Sequence, residues 1–419
     1  MKRKILSMAM LACLATPIAA YAADKAVVTT KKNAGPGSLR AALASGANII
    51  VIKKNVGNIR VKSPLTYTGS EPLRITGRGQ SVIGHDGTGP ILHITNGADL
   101  EVSNLDFQGP GGFSIQNQGG GKGIFVEVPA SREGTVSVKL SNLTVSGTGN
   151  HGVHLSDCEL GDDCGAGQGE DEGKGSPASM FMQLHNVTID GVGFGKQDAD
   201  GVRIDDRGRG DIIFNATGST FQDVGADGVE ADEGGKGTVY TNVNNSKFLR
   251  NGAYCADTDD DGPFDPIALD PKCDDDGDPD VDDAFDIDEA GPGGIVGVVA
   301  NVDIVDNFDE GLDFDTEGDS GPNGVRLDLV DIRASGNADE GIKVSEEGKA
   351  SVRVRLISVD IEGDIEVEEE NDGNLRVLLK GSEVGDDLKL SESDAGDGSV
   401  RIRNSTIGDE KDFNDITEL

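Results

Sequence analysis

Hydrophobic and polar positions alternate along this chain in short runs, and one run keeps returning. It reads Asp200-Gly201-Val202-Arg203-Ile204-Asp205-Asp206, then Asp227-Gly228-Val229-Glu230-Ala231-Asp232-Glu233, then Asp283-Ala284-Phe285-Asp286-Ile287-Asp288-Glu289. Two more copies follow, Glu310-Gly311-Leu312-Asp313-Phe314-Asp315-Thr316 and Glu340-Gly341-Ile342-Lys343-Val344-Ser345-Glu346. In each, two apolar residues flank one polar residue, the period-2 signature of a strand with one buried face. Val202 and Ile204 therefore point inward, and Arg203 and Asp205 outward. Neighbouring copies lie 27 to 30 residues apart, except for one gap of 56, which is two periods or one period plus an insertion. A constant period of this size marks a solenoid.

Between copies comes a second strand-like run, such as Gly237-Thr238-Val239-Tyr240-Thr241-Asn242-Val243, and a shorter third, Ser246-Lys247-Phe248-Leu249. Three short strands per turn without a helical pattern between them predict the coils of a parallel β-helix. Earlier coils carry Gly123-Ile124-Phe125-Val126 and Gly152-Val153-His154-Leu155; later ones, shortened to about 22 residues, carry Asp364-Ile365-Glu366-Val367-Glu368 and Asp387-Leu388-Lys389-Leu390-Ser391. An Asn or Asp recurs before the third strand at Asn142, Asn186, Asn301 and Asp331, where side chains are expected to stack and hydrogen-bond from coil to coil. At the N-terminal end, Ser38 is placed to cap a short helix with Leu39, Ala42 and Leu43 on one side, a plug for the open solenoid end.

The Gly37-Ser38-Leu39-Arg40-Ala41-Ala42-Leu43 start, the Ile75-Thr76-Gly77-Arg78-Gly79 turn, the Leu92-His93-Ile94 and Val102-Ser103-Asn104-Leu105-Asp106-Phe107 strands and the later coils resemble the right-handed parallel β-helix superfamily of pectin-lyase-like proteins. The likeness spans most of residues 26–408. It implies an all-β solenoid with a short N-terminal capping helix. It does not fix an activity, since the fold carries lyases, hydrolases, adhesins and inert scaffolds.

The organisation expected is a signal peptide (1–22), a cap and first coils (23–79), the β-helix (80–408) with acidic insertions at 158–176 and 255–282, and a polar tail (409–419), frayed or a light cap. Lys2, Arg3 and Lys4, an apolar run and Ala20-Tyr21-Ala22 read as a secretory signal, so the protein is expected to be exported, periplasmic or extracellular. No later run is long enough to span a bilayer. Four cysteines remain after the signal. They allow three connectivities, of which the local Cys158–Cys164 and Cys255–Cys273 pairs are preferred, each inside one insertion. With 61 Gly and no Trp, the composition suits a thin, tightly turning core. A net charge of −38 excludes nucleic acid as the expected partner and favours metal cations or a cationic surface.

Stacking the repeated strands brings equivalent side chains about 4.8 Å apart. One outward row then reads Phe125, His154, Arg203, Glu230, Asp286, Asp313, Lys343, Glu366 and Lys389; the next reads Glu127, Ser156, Asp205, Asp232, Asp288, Asp315, Ser345, Glu368 and Ser391. Two like charges about 5 Å apart at an effective dielectric of about 20 repel by roughly 3 kcal/mol, so the acids need protons, basic neighbours or cations. Calcium, a hard ion that takes several oxygens in flexible geometry, is the expected ligand of Asp205, Glu230, Asp232, Asp286, Asp288, Asp313 and Asp315; a solvated face without metal is the alternative. The second insertion holds Asp257, Asp259, Asp261 and Asp265 at loop positions 1, 3, 5 and 9 with Gly262 at 6. That spacing matches a calcium loop without the closing Glu, and it resembles the acidic repeats of thrombospondin type 3. A disordered acidic loop is the alternative.

In pectate-lyase relatives, acids on the outer face hold calcium while a nearby Arg or Lys takes a proton beside a uronate carboxylate. By that resemblance Arg203 and Lys343 are the candidate catalytic residues, although no Trp-Ile-Asp-His or Arg-x-Pro-x-x-Arg phrase is present. His154 and His151 read as exposed loop residues, with a general-base role as the lesser alternative. The expected function is a calcium-loaded, monomeric β-helix that binds a polysaccharide or cell-surface partner. The alternative is a calcium-dependent lyase or glycoside hydrolase of acidic polysaccharide on the same face.

Overall fold

The computed structural model describes residues 24–158, 175–254, 282–316 and 324–419. These residues form the right-handed parallel β-helix implied by the repeat. Twelve strands, among them Val153–Ser156, Val202–Asp206, Val229–Glu233, Phe285–Glu289 and Asp313–Thr316, make one parallel sheet. A further twenty make the other faces of the coil. Glu230 lies directly opposite Asp286, so the gap of 56 is one coil carrying an insertion.

The second and third runs of a coil, expected as separate strands, are continuous in Thr135–Ser146, Ser179–Asp190, Gly294–Val305 and Gly324–Ser335. Each bends at one residue in the left-handed region: Asn142, Asn186, Asn301 and Asp331, with φ of 52°, 51°, 54° and 53°. Asn and Asp tolerate that conformation, so a single residue turns the chain without breaking the ladder on either side. The amides also pair between coils, Asn186 Nδ2 donating to Asn142 Oδ1 at 3.1 Å and Asn301 to Asn245. A second amide ladder runs inside the coil: Asn251 Nδ2 donates to Asn307 Oδ1, and Asn307 Nδ2 to Asn337 Oδ1, each at 2.9 Å.

Alternation fills the interior with Val, Ile and Leu, plus a run of packed rings, stacked except for the edge-to-face pair Phe285–Phe314. Phe221 and Phe248 lie 4.9 Å apart, Phe248 and Phe285 5.6 Å, and Phe285 and Phe314 5.4 Å. At the N-terminal end the helix Leu39–Leu43, capped by Ser38 accepting from the Ala41 amide, buries Leu39, Ala42 and Leu43. At the other end, the tail expected to fray adds strands instead. Lys411–Asn414 pairs with Leu388–Ser391 and Ile416–Glu418 with residues 398–400, because Phe413 and Ile416 keep the inward period. Asp257, Asp259, Asp261 and Asp265, the proposed signal peptide and every proposed disulfide partner but Cys158 lie outside the described residues. Among the described residues no helix is long and apolar enough to cross a membrane.

Candidate cation-binding face

The twelve-stranded sheet sets the two outward rows in strict register. Arg203, Glu230, Asp286, Asp313 and Lys343 follow one another, as do Asp205, Asp232, Asp288, Asp315 and Ser345. At the centre, Glu230, Asp232, Asp286 and Asp288 each bring an oxygen within 4.8 Å of the others. Asp283, Asp286 and Asp313 make a second such group.

These rows are less open than outward positions suggest. Arg203 is 1% exposed, Asp205 and Asp232 0% and Glu230 5%. Burial raises the Asp286 carboxyl well above its ordinary range, and Asp288, Asp227 and Asp313 push it the same way. Asp313 is raised by burial and then by Asp315, and Asp232 by burial against the pull of Arg203. Those shifts run against bare charge, so a proton or a nearby cation is favoured at each of these acids. Oxygens of Asp232, Asp313 and Asp315 (Oδ1 in each) are buried without a hydrogen-bond partner, which is costly in a closed site. The donors are all hard carboxylate oxygens, so the residues present fit calcium, or another hard divalent ion, at the Glu230–Asp288 centre.

The ends of the rows are neutralised by the chain itself. Arg203 reaches Asp205 at 2.7 Å, Asp232 at 2.5 Å, Asp198 at 3.2 Å and Asp200 at 3.4 Å, and also pairs with Glu230. Desolvation works to lower its pKa, but Asp232, Glu230 and Asp205 outweigh it and hold the guanidinium charged. A group so held keeps its proton, and Arg203 sits as the anchor of a buried network. Asp205, expected among the cation ligands, spends its oxygens on Arg203 and on His154 Nε2 at 2.5 Å. Lys343, one-third exposed, donates to Asp313 Oδ2 at 2.9 Å and Glu310 Oε1 at 3.1 Å.

His151 and His154, expected on an exposed loop, are 0% and 1% exposed. His154 belongs to the row and stacks on Phe125, whose other face meets His93, with centroids 5.0 and 5.1 Å apart. Its Nδ1 lies 2.5 Å from the Lys122 ammonium and its Nε2 faces the Asp205 carboxylate. The imidazole is therefore neutral, protonated on Nε2, and burial depresses its pKa well below the ordinary value. Burial also brings the Lys122 amine down to about 8.

Two further acidic ladders went unread in the sequence. Asp200, Asp227, Asp283 and Glu310 open the repeated phrase, and each of the three Asp accepts the backbone amide of its successor, as from Glu310 N to Asp283 Oδ1 at 2.9 Å. The last position of the phrase points inward: Glu233, Glu289, Glu346 and Glu369 are fully buried. There they cap the following turn, as Glu289 Oε1 does for the Gly291 and Gly293 amides, both at 3.0 Å. The signal was the acid one step after the outward row, at a position that period 2 assigns to the core.

Neither a family model nor a curated protein sequence matches the chain. Solved structures with a similar course include the enzymatically active domain of tailspike protein 2 from bacteriophage CBA120, at 10% identity and a TM-score of 0.37, covering 90% of this chain and 48% of that one. ORF18 of Geobacillus virus E2 matches at 13% identity and 0.38, covering 94% and 62%. The A-module of a mannuronan C-5 epimerase from Azotobacter vinelandii matches at 12% identity and 0.34, covering 90% and 93%. The chain thus spans about half the length of the tailspike structure and under two-thirds of the Geobacillus virus protein.

Proposed function

We propose that this protein is an exported β-helix that takes calcium at Glu230, Asp232, Asp286 and Asp288 and acts by binding a polysaccharide or cell-surface partner at that face. The observation that carries the reading is the convergence of four carboxylate oxygens within 4.8 Å, one residue of which, Asp232, has a buried oxygen without a partner. Bound calcium supplies positive charge and coordination positions that sugar hydroxyls and carboxylates can complete. Arg203 and Lys343 hold the two ends of the rows and keep the acids between them in place. Asp313 and Asp315 extend the ligand field, and Asp257, Asp259, Asp261 and Asp265 are a second place for calcium.

One observation favours a lyase or hydrolase of acidic polysaccharide. Lys122, whose amine burial lowers to about 8, lies against His154, and a base of that pKa suits proton abstraction near neutral pH. The two readings separate in one experiment, titration of polygalacturonate at about 0.5 M salt, where exposed ionic contacts are screened. Binding that requires calcium and is lost in Asp286→Asn, without new unsaturated ends by absorbance, supports the binding protein. Calcium-dependent unsaturated ends that vanish in Lys122→Ala support the enzyme, and binding unchanged by chelator overturns both.

A further inference from the structure

The C-terminal coils carry the opposite charge on another face. Arg326, Arg353 and Arg376 lie in register on three successive strands, and all three are exposed. A neighbouring row on the same strands adds Arg355, which Asp328 neutralises at 2.9 Å, and leads to Arg401. Among the described residues no ion pair engages Arg326, Arg353 or Arg376. The chain has 75 acids against 37 Lys and Arg, so a row of unpaired arginines is the reverse of what its composition supplies by default. Like charges directly opposite on adjacent strands also destabilise a sheet. Nothing in the folding of these coils calls for the row, since the inward positions that alternate with it, Val325, Val352 and Leu375, are fully buried core.

We propose that this arginine row is a second binding surface, for a linear anionic polysaccharide bearing carboxylate or sulfate groups. Guanidinium forks pair with such planar or tetrahedral oxyanions by two parallel hydrogen bonds. A straight row repeating about every 4.8 Å suits a polymer with regularly spaced charges. The outward positions on the three arginine-bearing strands include Leu378 and Ile357 but no aromatic ring; the row meets one only at Tyr240, two strands before Arg326, whereas single-strand nucleic-acid platforms interleave rings with their basic residues. The inference narrows the polysaccharide half of the reading above and is independent of its calcium half.

The test is titration of polygalacturonate, dextran sulfate, neutral dextran and double-stranded DNA onto the full chain, in chelator and at low salt, so that calcium-bridged contacts are absent. One or both anionic polysaccharides should bind and neutral dextran should not. Affinity should fall roughly tenfold or more in Arg326→Ser/Arg353→Ser/Arg376→Ser, the loss of a few charge-assisted hydrogen bonds. The single variant Arg353→Ser, at an exposed position, should show part of the same loss with an unchanged melting temperature. Failure of both anionic polymers to bind, equal binding of DNA, or full affinity in the triple variant overturns the proposal. None of these outcomes bears on calcium at the acidic face.

Discussion

Arg203→Met removes the positive charge that Asp205, Glu230 and Asp232 share, leaving Arg207, 3.6 Å from Asp232, beside them. All three acids are at most 5% exposed, so water cannot replace the guanidinium without reopening the coil. Breaking a buried ion pair by deleting one partner costs about 3–5 kcal/mol. An independent route gives the same size: a stranded carboxyl can take up a proton, and holding an acid of ordinary pKa about 3.9 protonated at pH 7 costs about 4 kcal/mol at 1.36 kcal/mol per unit. In the variant these folded-state pKa values lie above the unfolded ones. The loss is therefore small near pH 4, grows as pH rises, and levels off above the new folded-state values. Denaturant unfolding in chelator at about pH 5 and pH 7 measures it, with an expected deficit of about 1.5 kcal/mol at the lower pH and about 4 at the higher. A deficit below about 1 kcal/mol at pH 7, or one independent of pH, would refute the assignment of Arg203 as the charge anchor. The double variant Arg203→Met/Asp205→Asn should recover part of the loss.

Two further outcomes follow from buried polar ladders. Glu392, raised to about 7 first by burial and then by Glu369, is largely protonated in the fold just below neutrality. Its contribution is complete below its unfolded value and declines as pH rises to about 7, so Glu392→Gln should flatten the fall in unfolding midpoint between about pH 5 and 8. Asn307→Ala strands the Asn251 amide and side chain, which donate to it at 3.0 and 2.9 Å; a loss of about 2–3 kcal/mol in denaturant unfolding is expected, and a neutral result would contradict a supporting role for the inner amide ladder.

Register was legible because the repeated phrase alternates strictly. Once Val202 and Ile204 point inward, Arg203 must face Glu230, and Glu230 must face Asp286. Diagonal partners between the two rows were not. Asp205 meets His154, 51 residues away, and no count along its own row could show that this acid is already neutralised. Burial was equally hidden for Arg203 and His154, whose outward positions say nothing of the side chains that close over them. The inner ladder of Glu233 and Glu289 is visible as the final acid of each phrase, at a position that period 2 assigns to the core, but an acid at a strand end turns to solvent as readily as inward, and only the Gly amides of the next turn decide it. The arginine row was legible too, in the alternation of Val352-Arg353-Val354-Arg355 and Val400-Arg401-Ile402-Arg403, yet its meaning depends on which strands lie side by side.

Direct titration of calcium by calorimetry, onto full chain freed of metal by chelator, bears most closely on the acidic centre. Wild type should bind, and Asp286→Asn/Asp288→Asn should lose the binding event assigned to Glu230, Asp232, Asp286 and Asp288 while any event belonging to the 255–282 insertion persists. Identical isotherms for the two proteins, or no heat from either, would mean that the rows are balanced by protons and arginine alone.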